Sequence, residues 1–250
     1  MKEFLTMDDI QAKCEKLNEI YQIDDQKFFR IIEKWADTEM SAETKLINSY
    51  QELLQLVSDE IEEMEQAVSL HPTCQMGCAF CCYFPIVINE MEAKLMQQSL
   101  HYFSDERKQK LAHHLQAYYR KYQQDMDEIS SFDQVENPNE FKLAFKSKQI
   151  PCVMLDTETN QCMAYEIRPT PCRTYMNYTD PKVCEENVMP KETVSFEFLY
   201  AEYMGALNEF LQYLYEEGDT GFIDYPNDIY REDLLINWMK DFDKELLKNS

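Results

Sequence analysis

Cys74, Cys78, Cys81 and Cys82 place four of the chain's nine cysteines within nine residues. A deprotonated thiol is a nucleophile and a soft metal ligand, and a turn can aim several of them at one point. A second interval, residues 150 to 190, carries Cys152, Cys162, Cys172 and Cys184, the first three at ten-residue steps. Only Cys14 lies in a helical pattern, where it reads as a small core residue. Zinc(II) and iron–sulfur clusters both accept thiolate tetrads, so the pattern points to metal chemistry. Neighbouring side chains diverge by about 180° in a strand and about 100° in a helix, so Cys81 and Cys82 seldom reach one mononuclear ion together. Cys152, Cys162 and Cys172, with one to three thiolates from Cys74, Cys78, Cys81 and Cys82, form the preferred ligand pool. Cys184 is balanced between ligand and buried thiol, and His71 reads as a partly exposed histidine at a helix end. Arg168 and Arg173 stand among the second group of cysteines, where guanidinium groups can offset thiolate charge beside a cofactor or, equally, tie the loop to carboxylates and carbonyls.

The elements that position these residues are helical. Four glycines in 250 residues, where average usage gives about 17, leave little room for many-turned sheets. Ser41 is a suitable N-cap for a helix over 41–70, whose Ile47, Tyr50, Leu54, Val57, Ile61, Met64 and Val68 recur at three- and four-residue spacings. Leu111, Leu115, Tyr118 and Tyr122 mark a second helix over 104–130. Phe196, Tyr200, Tyr203, Leu207, Phe210 and Leu214 mark a third over 192–216. Shorter helices are expected at 7–20, 25–38, 90–101 and 229–247. The cysteine intervals interrupt this pattern: Tyr83–Ile88 reads as a short extended segment, and Cys152–Asp156 with Gln161–Tyr165 as a hairpin around Thr157–Asn160. The expected fold is therefore mainly α, a helical bundle with a small irregular cysteine-rich metal-binding region containing a short β-hairpin. Its organisation reads as an N-terminal helical arm over 1–70, a cysteine-cluster core over 71–190 and C-terminal helices over 191–250.

Composition limits the partners. With 47 acidic against 24 basic residues and a net charge of −23, the chain repels nucleic acid and anionic membranes and suits a basic protein partner. No apolar run approaches the roughly 20 residues of a membrane-spanning helix, and the charged N-terminus lacks a signal-peptide pattern, so a cytoplasmic protein is expected. Thiols in that compartment are held reduced, which favours metal binding over disulfides, as does the odd cysteine count.

Taken together, Cys74-x3-Cys78-x2-Cys81-Cys82, Cys152-Val-Met-Leu155 and Tyr165-x2-Arg168-Pro169-x2-Cys172-Arg173-x-Tyr175 resemble the YkgJ-type cysteine-cluster family over about residues 71 to 178. The pairing of Cys81-Cys82 with the Arg168-Pro169-x2-Cys172-Arg173 segment is its most specific part. Val153-Met154-Leu155 stands where the family commonly shows Pro-Phe-Leu, a departure that touches packing more than ligation. The resemblance implies chelation of zinc or iron, with an iron–sulfur cluster among the occupants. It also carries an enzymatic precedent in the flagellin lysine methylases, which makes an iron–sulfur-dependent protein lysine methyltransferase the alternative. Cys74-x3-Cys78-x2-Cys81 is also similar to the radical S-adenosylmethionine signature, but a long helix leads into it where those enzymes have a strand of a β/α barrel.

Overall fold

The computed structural model describes residues 4–129 and 137–248. Among them the chain forms twelve α-helices and three small antiparallel strand pairs, a mainly α fold. No helix among the described residues is long and apolar enough to cross a membrane. Contacts divide the chain into two compact units, each assembled from two separate segments: Met1–Met76 with Thr170–Gly221, and Gly77–Pro169 with Phe222–Ser250.

The first unit is organised by α3 (Ala42–Val68), against which α1 (Met7–Ile20), α2 (Gln26–Ala36) and α9 (Leu199–Glu216) pack. Ser41 caps α3, its hydroxyl accepting the Thr44 N–H, and all seven seam residues from Ile47 to Val68 are buried. Each such side chain contributes roughly 1.5–3 kcal/mol by leaving water. Ser69, with φ of 53°, ends the helix in the left-handed region. A carboxylate also fixes the arm: Glu60 of α3 is fully buried and accepts hydrogen bonds from Lys27 Nζ at 2.5 Å and Tyr21 Oη at 2.7 Å. Tyr203, Leu207, Phe210 and Leu214 of α9 are buried as the spacing requires. That helix starts later than expected, because Thr193–Ser195 forms β5 and pairs with β4 (Tyr175–Asn177). Two short helices, α7 (Pro171–Thr174) and α8 (Lys182–Glu186), complete the unit.

The second unit holds α4 (Glu90–His101), α5 (Asp105–Asp127) and α6 (Pro138–Ser147), with α12 (Phe242–Lys248) packed along α5. The expected end of α5 at Ser130 lies outside the described residues. Asn89 caps α4 reciprocally with Glu92, whose N–H it accepts at 2.8 Å. The single helix expected over 229–247 is instead α10 (Asn227–Tyr230), β6 (Glu232–Leu234), α11 (Leu235–Trp238) and α12. Two causes are visible: β6 pairs antiparallel with β1 (Val87–Asn89), and Asp241, with φ of 67°, breaks the chain between α11 and α12. The Trp238 indole N–H closes the corner on the Ile88 carbonyl at 3.0 Å. The expected hairpin forms in shortened guise, β2 (Leu155–Asp156) against β3 (Gln161–Cys162).

Asp228 anchors this second unit. It is fully buried and accepts from Lys94 Nζ at 2.6 Å, Arg231 Nη2 at 3.1 Å and the Asp224 N–H at 2.7 Å. Removing one member of such a cluster strands the others, and because Lys94 and Arg231 still reach solvent the loss falls at the lower end of the usual range. Asp228→Ala is expected to lower unfolding stability by about 3 kcal/mol in urea denaturation followed by circular dichroism. A loss below about 1 kcal/mol would show that the cluster is dispensable.

Candidate metal centre

In the second unit, Gly77 adopts φ of 92°, a conformation that penalises any side chain, and reverses the chain ahead of Cys78. A 3-10 turn over Phe80–Tyr83 then carries Cys81 and Cys82. The Cys82 carbonyl accepts the Cys152 N–H at 2.6 Å, joining the two cysteine segments. On the far side of that bond the Cys152 carbonyl accepts from Leu155 N–H at 2.9 Å, and Leu155 lies opposite Cys162 in the hairpin. Tyr118 and His114 of α5 bond the carbonyls of Pro151 and Val153 at 2.6 and 2.9 Å, so the segment is pinned from the helix as well. Cys81, Cys82, Cys152 and Cys162 are thereby brought together.

The electrostatics differ from thiol to thiol. Cys81 is held down to about 7, first by its hydrogen bond with Cys82, against opposition from desolvation, with the positive charges of Arg168 and Lys146 adding to the effect. Cys152 is pushed up to about 12 by burial of its thiol, reinforced by Cys162 and Cys81 and resisted by the Met154 N–H that its sulfur accepts at 3.5 Å. The two cations are held by rings: Arg168 stacks over Tyr165 at 4.3 Å, and Lys146, 7% exposed, sits over Phe84 at 4.0 Å. Lys146 escaped the sequence reading because α6 did. Its signal was Asn137-Pro138, an N-cap followed by proline at the first helical position, with Asn137 accepting the Glu140 N–H.

Cys74, Cys172 and Cys184 belong to the first unit. The Cys74 sulfur accepts the Asn177 N–H at 3.4 Å, and Thr73 and Asn177 are linked by further bonds at 2.8 and 2.9 Å. Cys172 on α7 and Cys184 on α8 are half-buried. Arg173, 6% exposed, donates from Nη1 to Ser58 Oγ of α3 at 2.7 Å. His71 is exposed. The half-buried Cys14 thiol on α1 is raised by burial.

None of the nine cysteines is in a disulfide. Among the described residues, no three His, Cys, Asp or Glu side chains form a group that could hold a metal ion as they stand. The donor chemistry of the second unit nevertheless fits a soft cation: four thiols lie in one region, one inclined to the thiolate form, with two positive charges beside it. Without a cation, gathered thiolates would repel one another, and Cys81 instead shares a hydrogen bond with Cys82. Ligation would require them to release protons and turn toward a common point.

That charge order is testable on metal-free protein. At pH 7.5 Cys81, poised near 7, is substantially thiolate, whereas Cys152, near 12, is protonated. Limiting iodoacetamide followed by peptide mass mapping is expected to label Cys81 before Cys152, by about tenfold or more. Equal labelling would mean that the Cys82 bond and the two cations do not act on Cys81 as described.

No curated protein matches the chain, and neither does any solved structure. Eight of the nine cysteines, however, lie in a stretch with a family counterpart. Residues 73–193 match the CxxCxxCC family model, described as "Putative zinc- or iron-chelating domain", a likeness that supports metal binding in general.

Proposed function

We propose that the protein is a metal-binding cysteine-cluster protein whose thiolates hold zinc or iron. Cys81, Cys82, Cys152 and Cys162 form the nucleus of the ligand pool, and Cys74, Cys78 and Cys172 are the further members. The observation that carries this reading is the bond from Cys152 N–H to the Cys82 carbonyl, which gathers four thiols from two distant segments beside two cations. A zinc ion in four thiolates leaves two negative charges in excess, and Arg168 with Lys146 supplies two positive ones. A bound metal supplies a cross-link between the segments, and iron or an iron–sulfur cluster adds an electron-accepting centre. The chain's own residues do the rest. Tyr118 and His114 hold the Cys152 segment in place, the hairpin presents Cys162, and the Tyr165 and Phe84 rings keep the cations close to the sulfurs.

Elemental analysis of protein purified anaerobically without added metal tests the proposal. About one to a few equivalents of zinc or iron per chain are expected, with Cys152→Ser and Cys162→Ser losing most of it and Cys14→Ser retaining it. Lys146→Gln is expected to weaken metal retention by about tenfold while the cysteines stay intact. Combined zinc and iron below about a fifth of an equivalent in the unmodified protein would overturn the reading.

A further inference from the structure

The charges of this acidic chain are strongly segregated. From Glu192 to Tyr230 there are nine acidic residues and no lysine, arginine or histidine, whereas Arg107 to Gln124 holds five lysines and arginines, two histidines and no acid. Both runs include a long helix with a solvent face. On α9 that face carries Gly205, Asn208, Glu209, Gln212, Tyr213 and Glu216, which line a shallow open groove. On α5 the exposed residues Lys110, His113, Ala117, Arg120, Lys121 and Gln124 recur at helical spacing.

Gly205 carries the argument further. Glycine inside a helix costs about 1 kcal/mol relative to alanine, so its presence needs a reason. Gly205 has ordinary helical geometry, and a Cβ built on it would meet nothing within 4 Å, so nothing among the described residues calls for glycine there. A small residue on an exposed helical stripe lets another helix approach closely. Ala117 is a small exposed residue on the α5 stripe. The acids are also poorly placed for an isolated helix. Glu216 and Glu217 crowd its negative C-terminal end with no basic residue in the last turn, an arrangement that a cation from outside relieves. Among the described residues, Glu202, Glu209, Glu217 and Arg120 make no ion pair with one another or elsewhere.

We infer that the α9 face docks the α5 face of a second copy of this chain. Both stripes run about 20 Å, Glu202 to Glu216 and Lys110 to Gln124. Gly205, near one end of the first stripe, and Ala117, at the middle of the second, let the helices come close, and Arg120 and Lys121 face the glutamates together with Lys110, which also pairs with Asp156 of its own chain. Two different surfaces meet, so the contact is heterologous, and the assembly is either a ring or an extending chain. The contact is small and polar, which places it among weak, salt-sensitive associations. The net charge of −23 on each copy opposes it at long range. At about 150 mM salt that repulsion is screened beyond about 8 Å while facing pairs survive, and at about 1 M, with a screening length near 3 Å, the facing pairs weaken too. The inference is independent of the metal reading, so either can fail alone.

Sedimentation velocity of the full chain at about 100 μM tests it, with an average mass above the monomer expected at about 150 mM salt and a monomer at about 1 M. Arg120→Glu with Lys121→Glu, and separately Glu209→Lys with Glu216→Lys, should each sediment as monomers. An equimolar mixture of the two variants should associate again, because each then meets an oppositely charged face; this outcome also shows that both are folded. Gly205→Gln should raise the melting temperature slightly and weaken association at least about tenfold. A monomeric wild-type protein at both salts, association that survives face reversal, or a mixture that stays monomeric would overturn the inference. So would association unchanged by Gly205→Gln.

Discussion

One backbone hydrogen bond, from the Cys152 N–H to the Cys82 carbonyl at 2.6 Å, sets the geometry on which the cysteine chemistry depends. It joins a 3-10 turn to the approach of a hairpin, two irregular segments with little apolar periodicity of their own. Such segments are ordered only if something outside them fixes their backbone, and here α5 does so through Tyr118 and His114. A regular helix thus bears the load of the irregular region. The same logic explains why the cations next to Cys81 come from elsewhere in the second unit, Lys146 from α6 and Arg168 from the turn after the hairpin, each steadied by an aromatic ring.

Carboxylates do a related job in the body of each unit. Most of the 47 acidic residues are solvated, but Glu60 and Asp228 are fully buried, each with a lysine and a neutral donor. A buried carboxylate is tolerable only when its oxygens are paired, so these two impose geometry: Glu60 fixes how α1 and α2 lie on α3, and Asp228 fixes α4 against α10. The negative charge of the sequence therefore has two roles, solvation outside and registration within.

Long helices were legible because their seams repeat. Ile47 to Val68 supplies seven matches to one face, and Ser41 supplies the cap. The hairpin was legible from its turn, where Asn160 takes the positive φ that asparagine tolerates. What escaped was decided by distant partners. Thr193–Ser195 carries a helical flank in sequence but finds Tyr175–Asn177, and Glu232–Leu234 finds Val87–Asn89. Neither pairing can be read locally. The cysteines themselves were plain, yet their sorting was not: even ten-residue steps suggest that Cys172 keeps company with Cys152 and Cys162, whereas the boundary after Pro169 assigns Cys172 to the other compact unit. Lys146 was invisible for a different reason, since its helix is short and its role depends on where Phe84 lies.

Because each unit is assembled from two separated segments, the order of synthesis matters. The segment that carries α1 to α3 is made before α9 exists to cover α2 and α3, and residues 77–169 follow before β6 exists to cover β1. Neither unit can close on the ribosome as a local, self-sufficient block, so the nascent chain carries open apolar seams and an unpaired strand until α9 and β6 are translated. Chain connectivity gives this mostly helical protein contacts of long sequence separation, more like those of a sheet protein, and with them the slow, late closure that loop entropy imposes.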